Sequence, residues 1–143
     1  MFKALLINSE NEKPRISEIS EDSLRQDGVL VKVEYSTLNY KDCLAILHGK
    51  PIIRKYPMVT GIDFCGTVLN DPSSGFKAGS QVLMTGFGMG EKFWGGHSEL
   101  ASVDASFLLN TPSGFTMKNA MQCGTAGLTA SMAVLKLRDF GLS

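Results

Sequence analysis

The 143-residue sequence lacks an excess of charge of either sign. Fourteen Lys and Arg residues balance fourteen Asp and Glu residues, so the formal net charge is zero. Nucleic-acid binding usually needs a basic stripe that displaces counterions from phosphates. The densest basic cluster, Lys50 with Arg54 and Lys55, is interrupted by Pro51 and two isoleucines. We interpret this cluster as a solvated loop and predict no nucleic-acid partner.

Cysteine and histidine are also scarce and scattered. Cys43, Cys65 and Cys123 form no C-x-x-C pair, which excludes a zinc ribbon and a thioredoxin-type motif. Their apolar neighbours predict buried, unreactive thiols in a reducing compartment. His48 and His97 have no second histidine at helical spacing. A lone histidine is more often a hydrogen-bonded structural residue, so we predict no metal site.

Long hydrophobic runs are missing as well. No stretch reaches the length of a membrane span. The apolar run after Met1 is too short for a signal peptide and lacks a small-residue cleavage site. We therefore predict one globular domain in the cytoplasm, without a membrane partner.

What the sequence does contain, over its first hundred residues, is short apolar segments separated by turn signals. Segment 29–35 alternates apolar and polar positions, which is typical of a half-buried strand. This density of strands and glycine-rich turns favours a mainly β domain with short helices, of barrel or sandwich type. The predicted strands are 2–7, 28–35, 61–69, 79–84 and 97–103, and the predicted helix is 42–47.

The pattern becomes helical near residue 116. Thr116 is a plausible N-cap, and Gly124 is expected to interrupt the helix. Segment 126–137 is apolar nearly all round, which favours burial against more than one neighbour. The small β domain offers it little to pack against, and we interpret this as a sign of missing chain. We divide the chain into a β domain, 1–115, and a helical connector, 116–143.

The glycines near residue 88 raise the question of a phosphate-binding loop. Gly86, Gly88 and Gly90 begin like a dinucleotide fingerprint, but the position of its last glycine is Glu91. Residues 92–96 are unsuited to open the helix that would hold a pyrophosphate. We interpret the segment as a loop that permits close backbone approach beside a cleft.

A dense group of polar side chains lies at a predicted strand-to-helix junction. Asn39, Tyr40 and Asp42 place an amide, a phenol and a carboxylate within four residues. In the structural interpretation, Asn39 caps the next turn, Asp42 lies in its first turn and Tyr40 packs sideways. In the functional interpretation, Tyr40 is neutral at pH 7 and donates a hydrogen bond into a cleft. The residues alone favour the structural interpretation.

Several segments together resemble a known family. The chain is similar to the medium-chain dehydrogenase/reductase superfamily, and within it to the quinone oxidoreductase-like, acryloyl-CoA reductase subgroup. The resemblance implies a GroES-like, partly open β-barrel, with the helical segment leading toward a Rossmann domain that this sequence does not contain. The chain is therefore expected to be an N-terminal fragment. The matching segments, in family order, are 38–42, 56–68, 76–83, 94–99 and 124–130.

The resemblance also implies an enzyme without zinc. The positions that correspond to the zinc ligands of the alcohol dehydrogenases are Asn39, Ile62 and Asp63, and Ile62 has no ligand atom. The implied parent enzyme is an NADPH-dependent oxidoreductase. It would reduce the conjugated double bond of an acryloyl-CoA-like enoyl thioester, or a quinone.

Site residues follow from the same resemblance. Asn39, Tyr40 and Thr125 correspond to positions that face the nicotinamide, and we take them as the cofactor-binding residues. Tyr40 and Asp42 are the candidate catalytic residues, with Asp42 expected to organise the loop rather than transfer a proton. Lys50 and Arg54 are alternative contacts for the phosphates of a coenzyme A tail.

The expected partners are a small-molecule substrate, with an acyl-CoA as one form, and a second subunit in a homodimeric intact enzyme. This chain alone is expected to be inactive. The alternative is a free-standing GroES-like β-barrel that serves as a binding or structural module.

Overall fold

The computed structural model describes residues 1–73 and 75–141. This part of the chain consists mainly of short strands, with one helix between the third and fourth strands and another after the last. The strands are β1 (Phe2–Ile7), β2 (Arg15–Ile19), β3 (Val29–Ser36), β4 (Met58–Val59), β5 (Asp63–Asn70), β6 (Gln81–Thr85), β7 (Leu100–Val103) and β8 (Leu109–Asn110), and the helices are α1 (Tyr40–His48) and α2 (Met117–Asp139).

The strands form two antiparallel sheets. One has the order β2-β1-β4, and the other has the order β7-β3-β5-β6-β8. An isolated bridge between Ala4 and Ser98 joins the two sheets. The Leu5 N–H donates to the His97 carbonyl at 2.8 Å beside that bridge. The predicted mainly β architecture with short helices is confirmed.

The main core lies against the five-stranded sheet. Val29 and Val31 on β3 point inward, as the alternating sequence predicts, and pack with Phe64, Val82 and Met84. All five side chains are at most 1% exposed. Burying a side chain of this size stabilises a fold by about 1.5–3 kcal/mol, so this cluster holds β3, β5 and β6 together. Asp63 and the loop after β3 are thereby placed on a rigid support.

Each predicted strand overlaps an observed strand, but the sequence did not predict strands β2, β4 and β8. Strand β2 has the sequence Arg-Ile-Ser-Glu-Ile and exposes most of its side chains at a sheet edge. Strands β4 and β8 are two residues long and exist through pairing with β1 and β6. Helix α1 begins at Tyr40, two residues before the predicted start.

Helix α2 confirms the predicted cap and the predicted break. Thr116 Oγ1 accepts a hydrogen bond from the Asn119 N–H at 3.1 Å. At Gly124 the backbone adopts φ 50° and ψ −157°, which divides the helix into two parts. The first part packs on the sheet through Ala120 and Met121.

Segment 126–137 is largely exposed within the described residues, in line with the expectation that the small β domain offers it little to pack against. Met132 is 62% exposed and Leu135 is 60% exposed. Every residue from Leu128 to Gly141 is exposed, so the apolar side chains of the second part of α2 meet solvent. Among the described residues, no helix is both long enough and apolar enough to cross a lipid bilayer.

The three cysteines are free thiols, as predicted, but they differ in exposure. Cys65 is buried on β5, and burial raises the pKa of its thiol to about 11. Its Sγ donates to the Met117 carbonyl at 3.2 Å. Cys43 is half-buried and Cys123 is exposed, so the prediction of burial is wrong for Cys123. That residue lies on the outer side of α2, just before the break.

Candidate functional site

A buried carboxylate at the start of β5 connects three separate segments of the chain. Asp63 is fully buried. Its Oδ1 accepts from Thr37 Oγ1 at 2.6 Å and from the Thr37 N–H at 3.3 Å. Its Oδ2 accepts from Asn39 Nδ2 at 3.1 Å and from the Thr125 N–H at 2.9 Å. We call this group, Asp63 with Thr37, Asn39 and Thr125, the Asp63 junction.

The break in α2 makes the contact to Thr125 possible. The first N–H groups of a helix have no partner within it, so they are available to an outside acceptor. Because Gly124 leaves the helical conformation, Thr125 becomes the start of a new helix and its N–H is free to donate. A Cβ at Gly124 would lie 3.0 Å from Asp63 Oδ2. Glycine therefore permits both the backbone conformation and the close approach.

Asp42 fixes the start of α1 to the start of β5. It is 1% exposed. Its Oδ2 accepts from the Asn39 N–H at 2.8 Å, and its Oδ1 accepts from the Ile62 N–H at 3.0 Å. Both oxygens are thus engaged by backbone donors, which is the arrangement of a loop-organising residue. The prediction that Asp42 is a catalytic residue is not tested by this geometry and stays a prediction.

Tyr40 and Thr125 differ in how they present their hydroxyls. Tyr40 is 79% exposed, so the sideways packing of the structural interpretation is not observed. Its phenol projects from the first residue of α1, directly after Asn39 of the Asp63 junction. Thr125 Oγ1 is buried and has no hydrogen-bond partner among the described residues. The structure thus brings Asn39 and Thr125 together and places Tyr40 at the edge of the same junction.

His97 supports the junction through two hydrogen bonds, whose partners the sequence does not indicate. Its Nδ1 lies 2.9 Å from Thr60 Oγ1, and its Nε2 lies 3.0 Å from the Thr37 carbonyl oxygen. The carbonyl can only accept, so Nε2 carries the proton and donates to it. The predicted structural role of a lone histidine is confirmed for His97. Sequence reasoning missed Thr37 and Thr60 as residues of this site, and it did not place His97 beside them.

The donor set at the junction does not suit a zinc ion. Within residues 1–73 and 75–141, no three side chains of His, Cys, Asp or Glu come together as metal ligands. Asp63 already accepts four hydrogen bonds, and Ile62 offers no ligand atom. Structural and catalytic zinc sites need at least three protein ligands of these types. Zinc independence of the working protein remains a prediction.

The glycine-rich loop after β6 runs beside the junction. The Gly86 N–H donates to the Ile62 carbonyl at 2.8 Å. Gly86, Gly88 and Gly90 have φ values of 82°, 79° and 70°, a region that glycine adopts without strain. Residues 91–96 form turns and no helix, which agrees with the rejection of a pyrophosphate cradle.

Glu91 anchors this loop to α1. Lys41 Nζ donates to its Oε2, and Arg54 Nε lies 3.5 Å from its Oε1. The hydrogen bond from Lys41 is the main cause that holds the pKa of Glu91 below its ordinary value, and the charge of Arg54 adds to it. The Glu91 side chain is 15% exposed, so solvent screens this pair less than a surface pair.

Glu91→Gln should weaken the fold in a pH-dependent way. A carboxylate whose folded-state pKa is lowered contributes stability above its unfolded pKa of about 4.3, and that contribution disappears as the pH falls through the folded value. At pH 7 the variant should lose about 1 kcal/mol or less of unfolding free energy. Urea midpoints of wild type and variant should differ at pH 7 and converge below about pH 4. Glu12→Gln at an exposed site is the control, and an equal gap at both pH values would contradict the assignment.

With this geometry in place, the class of the domain can be given. Residues 25–113 match the family model of the alcohol dehydrogenase GroES-like domain. The chain belongs to this family.

Three similar proteins narrow the comparison. Acrylyl-CoA reductase AcuI of Ruegeria pomeroyi is 44% identical over 147 residues, which covers 100% of this chain and 44% of that protein. The Bacillus subtilis protein YhfP, called a putative quinone oxidoreductase, is 41% identical to this chain. Its crystal structure with NAD bound superimposes with a TM-score of 0.94, and the match covers 99% of this chain and 44% of the YhfP chain. The YhdH oxidoreductase of Salmonella enterica, crystallised with NADP, is 44% identical with a TM-score of 0.89 and covers 97% of this chain and 44% of its own.

These similarities confirm the resemblance to the medium-chain, quinone oxidoreductase-like, acryloyl-CoA reductase subgroup. The chain spans 44% of the length of each of these relatives.

Proposed function

We propose that this chain forms the substrate-side wall of an NADPH-dependent, zinc-independent reductase that acts on an acryloyl-CoA-like enoyl thioester. The observation that carries the proposal is the Asp63 junction, which holds Asn39 and Thr125 together beside the exposed Tyr40. The similarity to an acrylyl-CoA reductase and to proteins crystallised with NAD or NADP supports the substrate class and the cofactor. Preference for NADPH over NADH belongs to the proposal.

The residues at the junction fit a nicotinamide. Thr125 Oγ1 is a buried hydroxyl with no partner among the described residues, which is the kind of group that a carboxamide would satisfy. NADPH would supply a hydride to the β-carbon of the enoyl thioester, and water would supply the proton that the α-carbon needs. Asn39 and Thr125 would orient the cofactor, while Asp63 and Asp42 keep their backbone in place.

We assign the contact with the substrate to Tyr40, which is exposed directly after Asn39 of the Asp63 junction. Its phenol hydroxyl can donate a hydrogen bond. During hydride addition, negative charge develops on the thioester oxygen. A donor aimed at such an oxygen lowers the barrier by about 3–4 kcal/mol in comparable sites. We therefore assign Tyr40 to this oxygen or to the cofactor beside it.

The test uses the protein translated from the complete reading frame. Loss of NADPH absorbance is followed with acryloyl-CoA, and in parallel with a quinone, since one similar protein is called a putative quinone oxidoreductase. We expect faster oxidation with acryloyl-CoA. If neither acceptor is reduced, the proposal fails and the alternative of a binding or structural barrel module takes its place.

Treatment with a metal chelator should leave this activity unchanged. Among the described residues, no group of three His, Cys, Asp or Glu side chains could hold a zinc ion. Rates are compared before and after incubation with chelator and again after zinc is added. Activity that the chelator abolishes and zinc restores would contradict zinc independence.

Tyr40→Phe should lower kcat/KM for acryloyl-CoA by about a hundredfold, the effect of removing one donor from a developing oxyanion. The alternative expected result is a raised KM for NADPH, if the phenol contacts the cofactor instead. Tyr35→Phe is the matched control, because Tyr35 is a partly exposed tyrosine on β3 outside the junction. Kinetics unchanged from wild type would remove Tyr40 from the site.

The proposal also includes a cytoplasmic homodimer with no nucleic-acid or membrane partner. The balanced charge of the chain supports the absence of a nucleic-acid partner. Light scattering on the purified protein measures the number of subunits directly.

A further inference from the structure

A cleft of about 360 Å³ lies on the barrel outside the Asp63 junction. It opens between the turn Glu21–Ser23, the segment before β4, the loop after β6 and the end of β7. Its floor is apolar, with Met58, Met89 and Val103 all buried. Small-molecule sites commonly combine a concavity of this size with an apolar lining and a few polar groups at fixed places.

Two lysines stand at the rim of this cleft with their charges available. Lys55 and Lys92 are both exposed, and within the described part of the chain neither makes an ion pair. Arg25 and Asp104 also line the cleft, where they are paired with each other, and Arg25 is paired with Asp27 as well. The rim therefore offers two ammonium groups to an anion.

The other basic residues of this region are already paired. Lys50 Nζ lies 2.8 Å from Glu10, and Arg54 Nε lies 3.5 Å from Glu91. The interpretation of a solvated loop thus describes Lys50 and Arg54 better than the alternative of phosphate contacts. Lys55, the third member of that basic cluster, faces the cleft instead.

One wall of the cleft is aromatic. Phe93 is 44% exposed and its ring lies 5.8 Å from that of Phe107, tilted by 54°. Phe107 is in turn stacked on Phe87 at 4.7 Å. The Trp94 Nε1–H donates to the Pro57 carbonyl at 2.8 Å, which fixes the loop beside this wall. An exposed, supported ring of this kind is a surface on which a flat heterocycle can stack.

The cleft and the Asp63 junction are joined by the same loop. The loop begins at Gly86, whose N–H donates a hydrogen bond to the carbonyl of Ile62, the residue before Asp63. It continues to Lys92 and Phe93, which line the cleft. Between these ends, Glu91 is paired with Lys41, the residue after Tyr40. A ligand that lies along this loop could therefore reach both places.

We propose that the cleft binds the phosphorylated adenosine end of a coenzyme A thioester. Lys55 and Lys92 hold its phosphates, and its adenine stacks on Phe93. Ammonium groups bind phosphate through charge-assisted hydrogen bonds, and an aromatic wall suits a purine. This inference rests on the proposed function, since it names the binding site for the distal part of the same substrate.

The test compares two thioesters in the protein translated from the complete reading frame. Acryloyl-CoA carries the phosphorylated adenosine, and acryloyl-pantetheine lacks it. The double variant Lys55→Ala/Lys92→Ala should raise KM for acryloyl-CoA by about tenfold or more, as expected for lost hydrogen bonds to charged groups. It should leave KM for acryloyl-pantetheine and for NADPH unchanged. The matched control, Lys13→Ala/Lys77→Ala, removes two exposed lysines that do not line the cleft.

Other outcomes would overturn the inference. In the double variant, these outcomes are an unchanged KM for acryloyl-CoA or an equal rise in KM for both thioesters. An equal rise in KM for acryloyl-CoA in the control variant would also overturn it. A rise in KM for NADPH would assign the two lysines to the cofactor instead. If wild type reduces neither thioester, the proposed function fails, and calorimetry with adenosine 3′,5′-bisphosphate decides on the cleft alone. Binding that is lost in Lys55→Ala/Lys92→Ala supports the site, and no binding to wild type refutes it.

Discussion

Replacing Asp63 by alanine should lower the free energy of unfolding by about 3–5 kcal/mol, because it leaves several buried donors without an acceptor. Thr37 supplies two of these donors, and Asn39 and Thr125 supply one each. Asp63 itself is fully buried, and its donors lie on half-buried residues, so water reaches the place of the lost carboxylate only after a rearrangement. Urea denaturation followed by circular dichroism measures the loss.

Two further variants sharpen this test. Asp63→Asn keeps one acceptor oxygen but turns an NH₂ group toward donors, so its loss should lie between wild type and alanine. Asp139→Ala, at an exposed position on α2, should change stability by about 0.5 kcal/mol or less. If Asp63→Ala is no less stable than Asp139→Ala, the Asp63 junction does not exist in solution.

The strands that could be predicted from the sequence are those whose signal is local. Strand β3 alternates apolar and polar residues, and the inward positions Val29 and Val31 form part of the observed core. Strands β4 and β8 have no such pattern, since two residues cannot show a period. They form because Val59 pairs with Leu6 and Asn110 pairs with Val82, contacts between distant parts of the chain. A local pattern carries no information about those partners.

The same distinction applies to the candidate site. The sequence singles out Asn39, Tyr40 and Asp42 because they are adjacent, and the family resemblance adds Thr125. It gives no sign that Thr37 and His97, sixty positions apart, share a hydrogen bond. Nor does it show that Asp63, considered only as a counterpart of a zinc ligand, is the acceptor that assembles the whole junction. These relations depend on how β3 and β5 pair.

The exposed second part of α2 shows the limit of what an apolar pattern can predict. The apolar composition of 126–137 was interpreted as contact on more than one side, yet Met132 and Leu135 face solvent. An apolar pattern predicts that a surface is suited to burial, but not which element covers it. Exposed apolar surface of this kind commonly marks an interaction site.

Gly95→Ala should also be a severe substitution, with a loss of about 3 kcal/mol or more. A Cβ on Gly95 would lie 2.2 Å from the Gly61 carbonyl oxygen and 2.4 Å from that of Thr60. Both atoms belong to backbone, which cannot rotate away as a side chain can. The Gly95 N–H also donates to the Val59 carbonyl at 2.7 Å, so the two chain segments cannot separate without losing that bond.

Because of where this clash lies, the substitution is expected to affect activity as well as stability. Gly61 lies two residues before Asp63, so a displaced backbone there would disturb the Asp63 junction as well as the fold. We therefore expect Gly95→Ala to lower both the urea midpoint and the rate of NADPH oxidation in the protein from the complete reading frame. Gly114→Ala is the control, because a Cβ there meets open space and only the φ of 87° opposes it, at a cost of about 1–2 kcal/mol. A smaller loss for Gly95→Ala than for Gly114→Ala would show that the close approach of the loop to Thr60 and Gly61 is not present in solution.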